Sequence, residues 1–234
     1  MPTEAAVDNN PHTPAWPLYR ALVGVGVVCG LLIVSAFVLT SPLIARNEAE
    51  ALQQAVLQVL PGAVAKTTFA LGADGRFRLA QAGDTPQQLV HAGYAADGAL
   101  VGVAIEAQGM GYQDVIRLLY GYAPGQQAIV GMRVLASKET PGLGDKIEKD
   151  PNFIANFAAL DVSLDAAGQG LAQPIAAVKQ GTKTAPYQID GITGATISSQ
   201  AVAAILRQSS AQWVPLVYRL QAQFARDGGT DGGQ

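Results

Sequence analysis

From Ala21 to Ala45 the chain carries no charged residue. As an α-helix, that run of about 25 residues extends roughly 37 Å, more than the about 30 Å of a bilayer's hydrocarbon core. It therefore predicts a transmembrane anchor, placed at residues 18–45, with Pro42 ending the helix slightly early. A cleaved signal peptide is the competing reading. The run is longer than a typical signal h-region and shows no convincing A-x-A site near Ala45, so a retained anchor is expected. Residues 1–17, with Pro2, Pro11, Pro14 and Pro17 among polar residues, read as a flexible tail. Arg20 and Arg46 flank the two ends almost symmetrically, so the positive-inside rule does not fix the orientation. A short tail inside and a translocated domain outside is the arrangement expected of a signal-anchor.

The remainder, residues 46–226, is one domain of ordinary size, followed by a Gly-rich flexible tail at 227–234. Asn47 to Leu60 reads as an amphipathic helix. Asn47 and Glu50 make an approximate capping box, Leu52, Ala55, Val56, Val59 and Leu60 form one apolar stripe, and Pro61-Gly62 stops it. A stripe of that width is expected to pack on the domain itself. Four strands follow at short intervals: Gln88–Tyr94, Ala99–Ala107, Val115–Tyr122 and Gln127–Ala136. Asp97-Gly98 is a strong hairpin signal and Pro124-Gly125 marks another turn, which argues for antiparallel pairing. Gly109-Met110-Gly111-Tyr112 reads as a break or bulge. Asp150-Pro151 predicts a capped helix reaching about Leu160, with Phe153, Phe157 and Leu160 facing a core. A last pair of strands, 173–179 and 187–189, leads into a final helix, which Pro215 should kink or split. The expected fold class is α+β: a transmembrane helix followed by one domain with a mostly antiparallel sheet flanked by helices.

Composition removes several function classes. The net charge of −3 and the absence of a Lys/Arg run argue against a nucleic-acid partner. A single cysteine, Cys29, allows neither an intrachain disulfide nor a cysteine-ligated iron–sulfur centre. His12 lies in the tail and His91 in a strand-like run, with no metal-ligand spacing around either, so no metal site is expected.

The chemistry concentrates in Asp190-Gly191-Ile192-Thr193-Gly194-Ala195-Thr196-Ile197-Ser198-Ser199. Gly194 and Ala195 leave the backbone almost bare before the hydroxyl of Thr196. Val202, Ile205 and Leu206 fall at helical spacing, which places a helix start near Ser198 or Ser199. Free N–H groups and the positive end of a helix dipole then face Thr196, an arrangement suited to a phosphate. The plainer alternative is an ordinary turn in which Thr193, Thr196 and the serines act as local caps.

Asp190-x-x-Thr193-Gly194-Ala195-Thr196 resembles the Asp-x-x-Ser/Thr-Gly-Ala-Thr signature of FMN-binding domains that carry their flavin covalently. Upstream, Glu139-Thr140-Pro141-Gly142-Leu143-Gly144 resembles a second hallmark of the same family, Glu-Thr-Pro-Gly-Leu-Gly. With the anchor, the two motifs resemble the G subunits of Rnf-type electron-transport complexes. The resemblance implies FMN joined through its phosphate to Thr196 by a flavin transferase, and Asp190 as part of the signature that the transferase reads. It implies Thr193, Gly194 and Ala195 keeping the site narrow, and a hydroxyl at Ser199 where many relatives have threonine. Around the 139–144 loop, Thr140, Gly142, Leu143 and Gly144 are expected near the flavin. For Glu139 two readings stand, a direct flavin contact or a solvated loop carboxylate, and Lys138 is either a counter-charge to the flavin or a surface charge. The implied role is an electron-relaying subunit with no catalytic residue of its own, on the periplasmic side of the cytoplasmic membrane. The implied partners are the other subunits of a complex that couples ferredoxin/NAD electron transfer to Na⁺ or H⁺ movement. The corresponding C subunit of a Na⁺-translocating NADH:quinone reductase shares the attachment signature. A non-redox scaffold or flavin sensor is the reading from another class.

Overall fold

The computed structural model describes residues 16–81, 83–85 and 88–225. Most of both expected tails, residues 1–15 and 226–234, lies outside them. The chain divides into two compact units between Glu50 and Ala51.

The first unit consists of helix α1, Trp16–Val59, up to Glu50. The helix is long and apolar enough to cross a membrane. Its leucines are exposed along the whole run, with Leu39 at 73%. This surface suits a hydrocarbon solvent, and α1 is a membrane anchor. Two expectations are corrected here. Trp16 and Pro17, placed in the tail, already belong to the helix, where proline fits the first turn. Pro42 does not end the helix, and the amphipathic segment beginning at Asn47 is its continuation. Proline removes only one N–H donor, and the next breaker in sequence is Pro61-Gly62. In the turn around Pro42, Thr40 Oγ1 donates to Ala36 O (2.8 Å) and Ser41 Oγ to Phe37 O (2.7 Å).

The second unit is built on an antiparallel seven-stranded sheet, order β2-β1-β3-β4-β5-β6-β7. Its strands are β1 Ala65–Leu71, β2 Phe77–Leu79, β3 Leu89–Tyr94, β4 Leu100–Met110, β5 Val115–Ala123, β6 Ala128–Ala136 and β7 Leu160–Asp161. The four central strands, β3 to β6, match the expected hairpin series. β4 runs through Gly109 and Met110, so the break is confined to residues 111–114. Strands β1 and β2 have no clear period-2 signature in the sequence.

One face of the sheet receives the end of α1. Ala55, Val56, Val59 and Leu60 pack with Ala104 and Leu119. Gly121 and Gly131 face each other across β5 and β6. A Cβ at either would collide with the carbonyl oxygen of Val59. The helix backbone therefore rests directly on the sheet there. The opposite face carries the main core, including Val103, Ile105, Leu118 and Tyr120 under helix α4, Thr196–Arg219.

The short elements between them carry the loops of the site. Helices α2 (Lys146–Lys149) and α3 (Pro151–Ala155) follow β6. Asp150 caps α3 by accepting from Asn152 N and Phe153 N, but the helix stops at Ala155 rather than near Leu160. Asn156 ends it, because its carboxamide serves another element. Its Nδ2 donates to Asp190 O (3.1 Å) and its Oδ1 accepts from Asp190 N (2.9 Å). Phe153 and Phe157 are buried edge to face, 5.3 Å apart, as core residues. Strands β8 (Ala176–Val178) and β9 (Gln188–Asp190) pair in parallel and lead to α4. Pro215 does not split α4; it is buried among Trp213, Val214 and Val217, and that packing offsets the lost donor.

Candidate functional site

Helix α4 starts at Thr196, two residues before the serines expected to cap it. Ala195 stands at the cap position and offers no side-chain oxygen. The first helical hydrogen bond runs from Ser199 N to Ala195 O (2.9 Å). The N–H groups of Thr196, Ile197 and Ser198 have no partner among the described residues. Those three donors and the helix dipole converge at an open end, where an anion is stabilised. Gly194 turns the chain into the helix with φ +86°, a left-handed conformation that a side chain would strain.

The open end forms one wall of a cleft of about 350 Å³, lined by Tyr112, Thr140, Leu143, Gly144, Gly194, Ala195, Thr196, Ile197 and Ser198. The two sequence motifs, separate in the chain, thus meet in space. Thr196 is exposed on the rim, and Tyr112, Leu143 and Ile197 present exposed apolar surface. Gly142 lies exposed in the same loop, beside Leu143.

Glu139 does not face this cleft as a free carboxylate; it is buried behind it, 5% exposed. Its Oε1 accepts from Gln113 N (3.0 Å) and its Oε2 accepts from the hydroxyl of Ser198. Burial alone would push this carboxyl up, but the Ser198 hydroxyl and the N–H groups of Gln113, Tyr112 and Asp114 outweigh it. Together they hold Glu139 below the ordinary carboxylate range. The ionised side chain clamps the β4–β5 turn to the first turn of α4. Gly144 packs against both members of the clamp: a Cβ there would stand 2.7 Å from Glu139 Oε2 and 2.9 Å from Ser198 Oγ. The solvated-carboxylate reading of Glu139 is thereby corrected. Lys138 forms an ion pair with Asp114 (2.8 Å) on the surface.

The other signature residues are spread over a second environment. Asp190 lines a separate recess with Asn152, Asn156, Gln180, Gly181 and Lys183. Its carboxylate accepts from Gly181 N (2.8 Å) and Thr182 N (3.3 Å), closing the turn between β8 and β9. Gln180 in that turn accepts from Thr193 N (2.9 Å), while the rest of Thr193 is exposed. Ser199 is buried, and its hydroxyl donates to Thr196 O (3.0 Å). Tyr112, Ile197 and Ser198 are lining residues that sequence reasoning does not single out. Tyr112 carries a signal, an aromatic residue directly after a glycine break; Ser198 reads only as a cap.

Residues 111–210 match the model of the FMN-binding domain family, a span that takes in both motifs. The chain is 30% identical over 184 residues to the G subunit of the ion-translocating oxidoreductase complex of Methanosarcina acetivorans, covering 77% of this chain and 85% of that one. It is 33% identical over 202 residues to the G subunit of Cereibacter sphaeroides, covering 82% of this chain and 84% of the relative. The chain belongs to the G-subunit family of ion-translocating oxidoreductase complexes. Among solved structures, this G-subunit chain is similar to the C subunit of the Na(+)-translocating NADH-quinone reductase of Parabacteroides distasonis. The TM-score is 0.57 at 22% identity, covering 74% of this chain and 94% of that one. For NqrC of Shewanella oneidensis the TM-score is 0.54 at 18% identity, covering 76% and 99%. At those identities the likeness concerns the fold alone.

The residues present in the G-subunit cleft fit FMN. They supply an uncapped helix start for a phosphate, a hydroxyl at its first residue, small residues on one wall and apolar side chains for a ring. His91 does not line the cleft: it is buried in the sheet with Nδ1 2.9 Å from Thr68 Oγ1, and burial plus the charge of Lys66 lower its pKa to about 4. No group of three or more metal-ligating side chains occurs among the described residues.

Proposed function

We propose that this membrane-anchored FMN protein carries its flavin through a phosphoester to Thr196 and relays electrons inside an ion-translocating oxidoreductase complex. The observation that carries the assignment is the exposed Thr196 hydroxyl at the uncapped start of α4, on the rim of the cleft where the two motifs meet. FMN supplies one- and two-electron chemistry when bound, and the protein's contribution is position and electrostatics. The Thr196, Ile197 and Ser198 N–H groups would hold the phosphate, Tyr112, Leu143 and Ile197 would supply apolar surface for the ring, and Thr140 would offer a hydroxyl from the same cleft. Glu139 acts from behind, fixing the cleft's two walls. A covalent tether retains the cofactor where lost FMN is not readily replaced, and keeps it at high effective concentration beside its pocket.

In this reading the anchor is retained, the domain of residues 46–226 faces the periplasm, and a flavin transferase recognises the 190–196 loop, whose exposed residues are Thr193, Gly194 and Thr196. The whole complex exchanges electrons between ferredoxin and NAD, with Na⁺ or H⁺ as the coupled ion and the other subunits as partners. The C-subunit alternative is less favoured, because the chain's identity to G-subunit relatives is 30–33%. The FMN-binding family match leaves the non-redox scaffold without support. The deciding experiment is intact-protein mass with peptide mapping after expression with a flavin transferase. One FMN less one water on the Thr196 peptide is the expected result. An unmodified peptide, with the transferase active on a control substrate, overturns the assignment. For topology, a reporter active only in the periplasm, fused after Gln234, should be active.

A further inference from the structure

None of the residues lining the cleft at Thr196 is charged. A phosphodiester there keeps one negative charge, and three backbone N–H groups with a helix dipole neutralise it only in part. Lys179, directly after β8, is exposed and its ammonium has no partner among the described residues, whereas three other lysines are engaged. Lys138 is paired with Asp114 at 2.8 Å, and Lys149 with Asp145 at 2.8 Å. Lys183 donates to Asn156 Oδ1 in the recess of Asp190 (3.3 Å). Lys146 is different. It opens α2 directly after the Gly142-Leu143-Gly144 loop, is half-buried, and its ammonium has no hydrogen-bond or ion-pair partner among the described residues. Its Nζ lies 3.9 Å from the place a Cβ on Gly194 would take, the same distance as Leu143 Cδ2 from that point. The ammonium therefore sits against the turn that delivers Thr196.

We propose that Lys146 is the counter-cation of the flavin phosphate: its ammonium donates to a non-bridging oxygen of the Thr196 phosphodiester, opposite the N–H groups of α4. This rests on the Thr196 attachment above. Two further features fit it. Gly194 adopts φ +86°, and a Cβ there would come into contact with the ammonium at 3.9 Å, so the absence of a side chain keeps that side of the ammonium open. The Asp145–Lys149 pair removes the adjacent carboxylate as a competitor for Lys146. A charge-assisted N⁺–H···O⁻ bond is also about twice as strong as a neutral one, so a single lysine supplies much of the missing neutralisation.

The test uses the full-length chain, flavinylated by a transferase and labelled with ¹⁵N-lysine, with solid-state ³¹P–¹⁵N dipolar dephasing as the readout. One lysine Nζ should be dephased by phosphorus. The dephasing should be lost in Lys146→Arg, which keeps charge and fold, and persist in Lys149→Arg. Absence of any dephased Nζ in the loaded wild-type chain, or survival of the signal in Lys146→Arg, overturns the proposal while leaving Thr196 attachment intact. A wild-type chain with no protein-bound phosphorus overturns the attachment, and with it this role for Lys146.

Discussion

Asp190 and Thr196 belong to the same short signature, yet the structure treats them in opposite ways. The Asp190 side is internally bonded: its carboxylate closes the β8–β9 turn, its backbone is held by Asn156, and Gln180 passes the restraint on to Thr193. The Thr196 side is left open, with an exposed hydroxyl and three N–H groups without protein partners among the described residues. Buried or engaged polar groups make a loop rigid, whereas unengaged ones are free to take a ligand. The attachment proposed for Thr196, made by another enzyme and followed by cofactor binding, would need both: a stiff base and an unsatisfied tip.

That contrast is sharpest at Thr196 itself. Thr196→Ala should abolish covalent flavin entirely, seen as loss of in-gel flavin fluorescence. Because the side chain is exposed and has no hydrogen-bond partner among the described residues, the apo-domain's urea midpoint should move by no more than about 0.5 kcal/mol equivalent. A large loss of stability would show that Thr196 belongs to the rigid base instead.

Glu139 should behave in the reverse way. Glu139→Ala leaves the buried Ser198 Oγ and the Gln113 N–H without their acceptor, a loss of about 1–3 kcal/mol measurable by urea denaturation. The pH dependence has a definite sign. The folded-state pKa of Glu139 is depressed, so its contribution is present above the unfolded carboxyl value, 4.5, and is lost as pH falls through the folded value. Glu139→Gln should flatten that part of the acid limb, from about pH 5 downward, to be read from urea midpoints in a pH series. An unchanged acid limb would mean the clamp is not ionic.

Asp190→Ala comes next in size. Removing acceptors of two backbone N–H groups in a half-exposed turn costs about 1 kcal/mol. The expected signature is local: faster hydrogen exchange at Gly181, Thr182 and Thr193, with slower FMN transfer to Thr196. Slower transfer without faster exchange would assign Asp190 to contact with the transferase rather than to the loop's stiffness. Gln180→Ala should give the smallest effect, about 0.5–1 kcal/mol or less, confined to exchange at Thr193 N–H.

Much of this arrangement is legible in the residues, and the parts that are not share a cause. The hairpin series is readable because its signals are local: period-2 apolar runs and Asp-Gly or Pro-Gly turns. Strands β1 and β2 are not, because Ala65–Leu71 becomes a strand by pairing with β3 and its pattern is only half-buried. The helix expected to reach Leu160 ends where Asn156 is claimed by β9, a partner 34 positions away. For Glu139, a loop carboxylate next to proline and glycine looks solvated until the fold brings Ser198 over it.

By itself, then, the sequence determined what local chemistry decides. An uncharged run makes a membrane-spanning helix, alternation and turn residues make antiparallel strands, and an apolar period after glycine and threonine places a helix start to within a few residues. Only the tertiary structure decided which polar groups are used up and which stay free. It kept α1 continuous through Pro42, buried Glu139 as a clamp, spent Asp190 on a turn, and left Thr196 exposed with Lys146 against the turn at Gly194. The physical reason is that hydrogen-bond satisfaction is settled by long-range contacts, which spacing along the chain does not encode.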